Sequence, residues 1–195
     1  MTLYVYVDNS NIWIEGQRLQ AVRQGLAPDL RTALRCGILA PWTYDFGRLY
    51  SLACPRNEQI GRSILYGSKP PDSDSIWRRA RDADFQVETF DRSIHTNKEK
   101  QVDVALSTTM LDDSYTHMRA ASGDIVVLVA GDRDFLPTIR SLQNRGIGIR
   151  VVFWTHAVSR ELRDTADEFV ELDPHFDYLT YPAARLEPPA RDRSR

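Results

Sequence analysis

Four aspartates, Asp8, Asp103, Asp132 and Asp134, stand where a carboxylate has chemical potential beyond solubility. Asp8 follows the apolar stretch Leu3-Tyr4-Val5-Tyr6-Val7 directly, and Asp132 and Asp134 follow the still more apolar Ile125 to Ala130. Asp103 lies at the border of a helical apolar stripe, one turn before Leu106 and two before Met110. A carboxylate there carries a desolvation cost unless something satisfies it. Lys100 could do so as a helical ion pair worth about a few tenths of a kcal/mol; a bound cation would do so more completely. Carboxylates with no Cys or His nearby in sequence are hard-oxygen donors, and they favour Mg²⁺ or Mn²⁺ over zinc. An ion shared between such carboxylates and phosphate oxygens suits hydrolysis of a phosphodiester by water.

Simpler roles compete for each residue taken alone. Asp8 and Asp132 are good N-caps for the helices that follow them, and Asn11 could hydrogen-bond its own first turn. Capping does not extend easily to Asp103 and Asp134, so the set as a whole favours a metal site. Lys98, Lys100 and Arg133 neighbour the acids in sequence and are the candidate phosphate contacts. Arg78, Arg79 and Arg81 read better as a solvated helix face. Trp42, Tyr44 and Tyr50 read better as core than as stacking platforms. His95, His117, His156 and His175 are scattered, with no partner suggesting a general base.

The elements that must position these residues alternate. Leu3 to Val7 predicts a strand; Ile12, Ile14, Leu19 and Val22 predict a helix ending near Gly25. Residues 27–57, with prolines and glycines among aromatic residues, form an elaboration in which Asp45 could cap a helix carrying Phe46 and Leu49. A strand over Ser63 to Gly67 and a loop over Lys69 to Asp72 follow, then a helix over Ser75 to Asp82 and a strand over Phe85 to Phe90. After these come a helix from Lys98 to about Ser114, a strand over Ile125 to Ala130, a helix through Leu142 stopped by Gly146, and a strand over Ile149 to Trp154. Ser159 caps a short helix, and Phe169 to Leu172 is a sixth strand. The alternation implies a mostly parallel central sheet with helices on both faces, an α/β, three-layer, Rossmann-like domain over residues 1–173. Residues 174–195 read as a tail, disordered near its end. With strand order 3-2-1-4-5, Asp8, Asp132 and Asp134 converge on one crevice at the switch point.

Composition sets the outer limits. A chain of 195 residues, 42% hydrophobic and 27% charged, is the size of one soluble domain. The run Ile125 to Ala130 is far short of the roughly 20 residues a membrane helix needs, and Asp8 interrupts the first hydrophobic run before it could serve as a secretory signal. Cys36 and Cys54 lack zinc-finger spacing and read as free thiols of a cytoplasmic protein. Twenty-five Lys and Arg against 27 Asp and Glu leave a net charge of −2, so a polyanion must be gripped locally rather than by a global basic field. A haloacid-dehalogenase-type phosphatase would need an acid where Ser10 stands, and a dinucleotide fold would need glycines between Asp8 and Asn11.

Asp8-Asn9-Ser10-Asn11, Lys100-Gln101-Val102-Asp103, Ala130-Gly131-Asp132-Arg133-Asp134-Phe135, and Glu161-Leu162 with Ala166-Asp167 together resemble the NYN domain family, specifically its bacterial LabA-like (DUF88) branch related to PIN-like nucleases. The resemblance runs from about Leu3 to Leu172 and is weakest over 27–57. It implies a PIN-like α/β fold and a Mg²⁺- or Mn²⁺-dependent ribonuclease acting on RNA. Asp8, Asp103, Asp132 and Asp134 match the family's acids, and Asn11 matches the Asn that accompanies the first acid and would orient Asp8. The family helix often carries another acid where this sequence has Thr109, a departure that leaves open an RNA-binding or regulatory module of reduced activity. A homodimer is compatible with either reading, and no membrane partner is expected.

Overall fold

β1 (Thr2–Asp8) has almost no solvent-facing side: Leu3, Val5, Tyr6 and Val7 are fully buried. β4 (Ile125–Val129) is the same, with Val126 to Val129 at 0% exposure. Neither alternates apolar with polar, because helices cover both faces of a parallel sheet. In the computed structural model, which describes residues 1–68, 75–90 and 99–181, these two strands lie side by side at the centre. β2 (Gln59–Ser68) and β3 (Gln86–Phe90) extend the sheet one way, and β5 (Gly148–Phe153) and β6 (Glu168–Glu171) the other. The order is β3-β2-β1-β4-β5-β6 and every pairing is parallel. The expected order therefore stands, with β6 added at the edge.

Crossover handedness distributes the helices. α1 (Asn9–Arg23), α2 (Leu30–Cys36), α3 (Phe46–Ala53) and α4 (Ser75–Asp82) occur while the chain winds from β1 out to β3. α5 (Glu99–Thr116), α6 (Leu136–Asn144) and α7 (Arg160–Thr165) occur while it winds from β3 back across to β6. Right-handed connections in opposite directions place the two groups on opposite faces. Accordingly α3 packs on α4, while α5 packs on α6 and α6 on α7. Among the described residues no helix is long and apolar enough to cross a membrane.

The elaboration holds more structure than its sequence announces. Asp45 caps α3 as expected, its carboxylate accepting from the Arg48 N–H at 3.0 Å. α2 was not legible: it is opened by Asp29, whose carboxylate accepts from the Thr32 N–H at 2.6 Å, and it buries only Ala33. A helix that buries a single small residue has no apolar period to read. Residues 174–181, assigned from sequence to the tail, pack on this elaboration through α8 (Phe176–Leu179). Phe176 stacks on Trp42 at 5.3 Å, Thr180 pairs with Tyr44 in an antiparallel bridge, and the Tyr181 N–H donates to the Thr43 carbonyl. Trp42 and Tyr44 are core, as expected, at 4% and 3% exposure. The predicted loop over Lys69 to Asp72 and the tail from residue 182 lie outside the described residues.

One buried charge fastens α5 to the sheet. Asp113 is 3% exposed; it accepts from the Tyr6 hydroxyl at 2.6 Å and from Arg62 of β2 at 2.8 and 3.0 Å. Burial, then the bond to Asp113, pushes the Tyr6 phenol far above its ordinary pKa, so it remains a donor. Asp113→Asn keeps the shape and removes the charge that Arg62 answers. We expect a loss of about 2 kcal/mol, read as a lower urea midpoint at unchanged m-value.

Candidate active site

β1 and β4 end together, Val7 beside Val129, and the chain leaves them in opposite directions. This is the point in a parallel sheet where a crevice opens beyond the strand ends. Asp8 closes β1 and is 5% exposed; its Oδ1 accepts from the Asn11 backbone N–H at 3.1 Å, capping α1. Asp132 behaves differently. Exposed and extended, it precedes a 3-10 turn over Arg133–Phe135 without any side-chain capping bond. Capping thus accounts for one of these acids and not for the other.

Asn11 joins the two strand ends. Its Oδ1 accepts from the Gly131 N–H at 3.0 Å, and its Nδ2 faces Asp132 Oδ2 at 3.5 Å. The Asn11 backbone N–H thus meets Asp8, while its side chain serves the loop after β4. Gly131 lets that loop come close: a Cβ there would meet the Phe153 ring at 2.3 Å.

Asp8, Asp103, Asp132 and Asp134 all line one cavity of about 330 Å³, with Asn11, Ser10 and Ser68 beside them. Asp103 arrives from the first turns of α5, next to buried Val102. Among the described residues no three Asp, Glu, His or Cys side chains form a close-set metal centre; the acids are spaced around the cavity. Thr109 is not part of its lining, and its hydroxyl donates to the Ala105 carbonyl at 3.0 Å. Of the cations expected to contact phosphate, Arg133 instead lies 3.9 Å from Glu161 on the exposed side of α7. Lys98 and the Lys100 side chain lie outside the described residues.

Two side chains of α1 in this lining were missed in sequence, Glu15 and Arg18. They stand four and seven residues after Asn11, hence on its face of the helix. Arg18 Nη1 pairs with Glu15, whereas its Nε is buried and has no acceptor among the described residues. Glu15 also reaches His156 Nε2 at 3.3 Å, and His156 Nδ1 lies 3.6 Å from Asp173. These last contacts are ion pairs rather than aligned hydrogen bonds, since neither imidazole nitrogen meets hydrogen-bond geometry.

Burial alone would lower the His156 pKa, but the carboxylates of Asp173 and Glu15 outweigh it and the net shift is upward. Burial would raise Asp173; the nearby His156 and the hydrogen bond from the Thr155 N–H outweigh that and lower it. A histidine with a raised folded pKa stabilises fully below its unfolded value of about 6.5 and loses that contribution as pH rises through the folded value. Asp173 stabilises above the ordinary aspartate range and loses its contribution as pH falls through its lowered value. Wild-type Tm should therefore decline as pH rises from 6 toward 8.5, and His156→Gln should flatten that decline. Equal slopes in thermal melts of the two proteins would contradict the pairing.

The family model described as the NYN domain matches residues 3–173. A crystal structure of a protein of unknown function from Vibrio parahaemolyticus is similar at a TM-score of 0.65 and 19% identity, with 92% of this chain and 96% of that chain covered. At that identity the likeness establishes the fold, an α/β domain on one parallel sheet. The search of curated proteins gave no match.

Proposed function

The chain belongs to the NYN domain family, generally one of PIN-like nucleases, and from that premise we propose that it hydrolyses RNA phosphodiester bonds in the acidic cavity. The observation that carries this reading is the convergence of Asp8, Asp103, Asp132 and Asp134 on one cavity at the reversal of strand order. Their donor atoms are all hard oxygens, and the cavity of about 330 Å³ leaves room for water between them. That fits Mg²⁺ or Mn²⁺, which retain part of their hydration, better than an ion that wants thiolates or imidazoles. Asp8 and Asp132 would be principal ligands, directly or through water, with Asp103 and Asp134 completing the set. When bound, the ion supplies charge neutralisation at the phosphate and a more acidic water.

The protein's own groups do the positioning. Asn11 holds the end of β1 and the loop after β4 together, so the two carboxylates keep their separation. Arg18 contacts the phosphate: it lines the cavity, and a phosphate offers acceptor oxygens matched to a guanidinium fork. Water attacks phosphorus as the P–O bond to the leaving oxygen breaks; a cavity carboxylate takes the proton that water gives up, and the leaving oxygen takes a proton from solvent. No side chain becomes covalently attached to substrate.

Purified protein should shorten single-stranded RNA in Mg²⁺ or Mn²⁺, lose that activity in EDTA and regain it when metal is restored. Activity retained in EDTA excludes the metal-dependent reading. RNA bound with metal present but never shortened identifies a binding or regulatory module instead, and a DNA strand of the same sequence decides between the two nucleic acids.

A further inference from the structure

A second cavity, of about 180 Å³, opens beside the acidic one, and Ser10 and Ser68 line both. The reaction as described makes no use of it. Its walls are mainly Trp13, Tyr44, Phe46, Ile76 and Trp77, with Arg79 as its only charged lining residue among those described. Tyr44 is held as a neutral phenol, because burial and then the charge of Asp8 push its pKa well above the ordinary value. Its hydroxyl donates to Asn9 Oδ1 at 2.6 Å, which leaves the Asn9 Nδ2 hydrogens without a partner among the described residues. Trp77 is 3% exposed, and its indole Nε1 is buried with no acceptor among those residues. Gly67 of β2 lets that indole descend onto the strand, since a Cβ there would meet the ring at 2.2 Å.

An apolar slot walled by aromatic rings, with the Asn9 amide in its lining and sharing a wall with the proposed phosphodiester site, matches one kind of occupant: a flat heteroaromatic ring with acceptor atoms on its edge, joined to a phosphate. Stacking on aromatic side chains is the sequence-tolerant part of single-strand binding, worth about 1–3 kcal/mol per base, and amide donors at the wall add orientation. Resting on the nuclease reading above, we infer that this slot receives the base of the nucleotide whose phosphate occupies the acidic cavity. Ser10 and Ser68 then stand between base and phosphate.

The tryptophans in the wall report on occupancy. Full-length protein in Mg²⁺, titrated with AMP, GMP, CMP and UMP, which hold no phosphodiester bond to cleave, should show a saturable change in intrinsic fluorescence for at least one of them. Ribose 5-phosphate, which keeps the phosphate and lacks the base, should bind at least tenfold more weakly. Ile76→Phe, which fills the slot from its half-buried rim, and Asn9→Ala, which removes the amide donors, should each weaken nucleotide binding at least tenfold while their circular dichroism stays that of wild type. In Mn²⁺, an RNA with one abasic nucleotide moved along its length should be cleaved at least tenfold more slowly at the bond next to that position. Ile76→Phe should cleave the intact strand at that slower rate. Equal affinity for nucleotides and ribose 5-phosphate, together with equal cleavage of intact and abasic strands, overturns the slot and leaves the nuclease reading standing. Failure to cleave any strand overturns the nuclease reading, and the inference with it.

Discussion

Asp132→Asn is expected to lower metal-dependent cleavage of single-stranded RNA by about 10²–10³-fold or more, with Tm held to within about one or two degrees of wild type. Asp132 is exposed and caps nothing. Asn11 Nδ2 approaches it at 3.5 Å, a contact that an asparagine Oδ1 can still accept. The substitution therefore removes charge from the cavity while keeping the size and shape of the side chain. Asp8→Asn is the sharper companion, because Asp8 is buried and caps α1. Asparagine is an N-cap of about equal quality, so an inactive but normally folded Asp8→Asn separates the charge from the cap. Cleavage by Asp132→Asn at the wild-type rate would show that the acidic cavity is not where the reaction occurs.

The sequence was most legible where burial is one-sided in meaning. β1 and β4 read as continuous apolar runs because both faces are covered, and each run ends at an acid. The acids themselves were legible for the same reason: three follow the central strands and Asp103 breaks an apolar stripe. The strand order followed from connection rules, because strands joined by helices in a parallel sheet have few ways to be wound. α2 and α8 were not legible, since a helix that buries one alanine, or only four residues long, carries no period. Glu15 and Arg18 were missed for a different reason. On α1 they look like an ordinary i,i+3 surface pair; that the helix turns this face toward a cavity is set by the Asn11 bridge to the β4 loop, a contact between distant segments. His156 was read as having no partner because its partners come from α1 and from the turn after β6.

A net charge of −2 argues against a general polyanion binder, and the cavity shows why the total is a poor guide. Five carboxylates, those of the four aspartates and of Glu15, stand in the described lining with one guanidinium. Without a cation that cavity repels phosphate. With one, positive charge stands where the phosphate must sit, and binding becomes a property of a few groups instead of a surface field. The consequence is that the guanidinium is worth far more than an exposed arginine elsewhere on the chain.

Arg18→Gln should accordingly lower kcat/KM for RNA by about 10²-fold. A purely structural account of Arg18 also exists, since it pairs with Glu15, which in turn faces His156. The two accounts separate on Glu15→Gln. If Arg18 served only to balance Glu15, neutralising Glu15 would reproduce the loss of activity; if Arg18 grips phosphate, Glu15→Gln should leave kcat/KM within about threefold and act on the pH dependence of Tm. Arg18→Lys should recover only part of the activity, because an ammonium is a point charge and cannot match the two-pronged geometry of a guanidinium on phosphate. Salt gives an independent reading. Removing one phosphate contact to a single strand should reduce the slope of log kcat/KM against log salt by about 0.7, a change that lost helix packing would not produce. A slope unchanged in Arg18→Gln would return Arg18 to a structural role and leave phosphate recognition to cations elsewhere around the cavity.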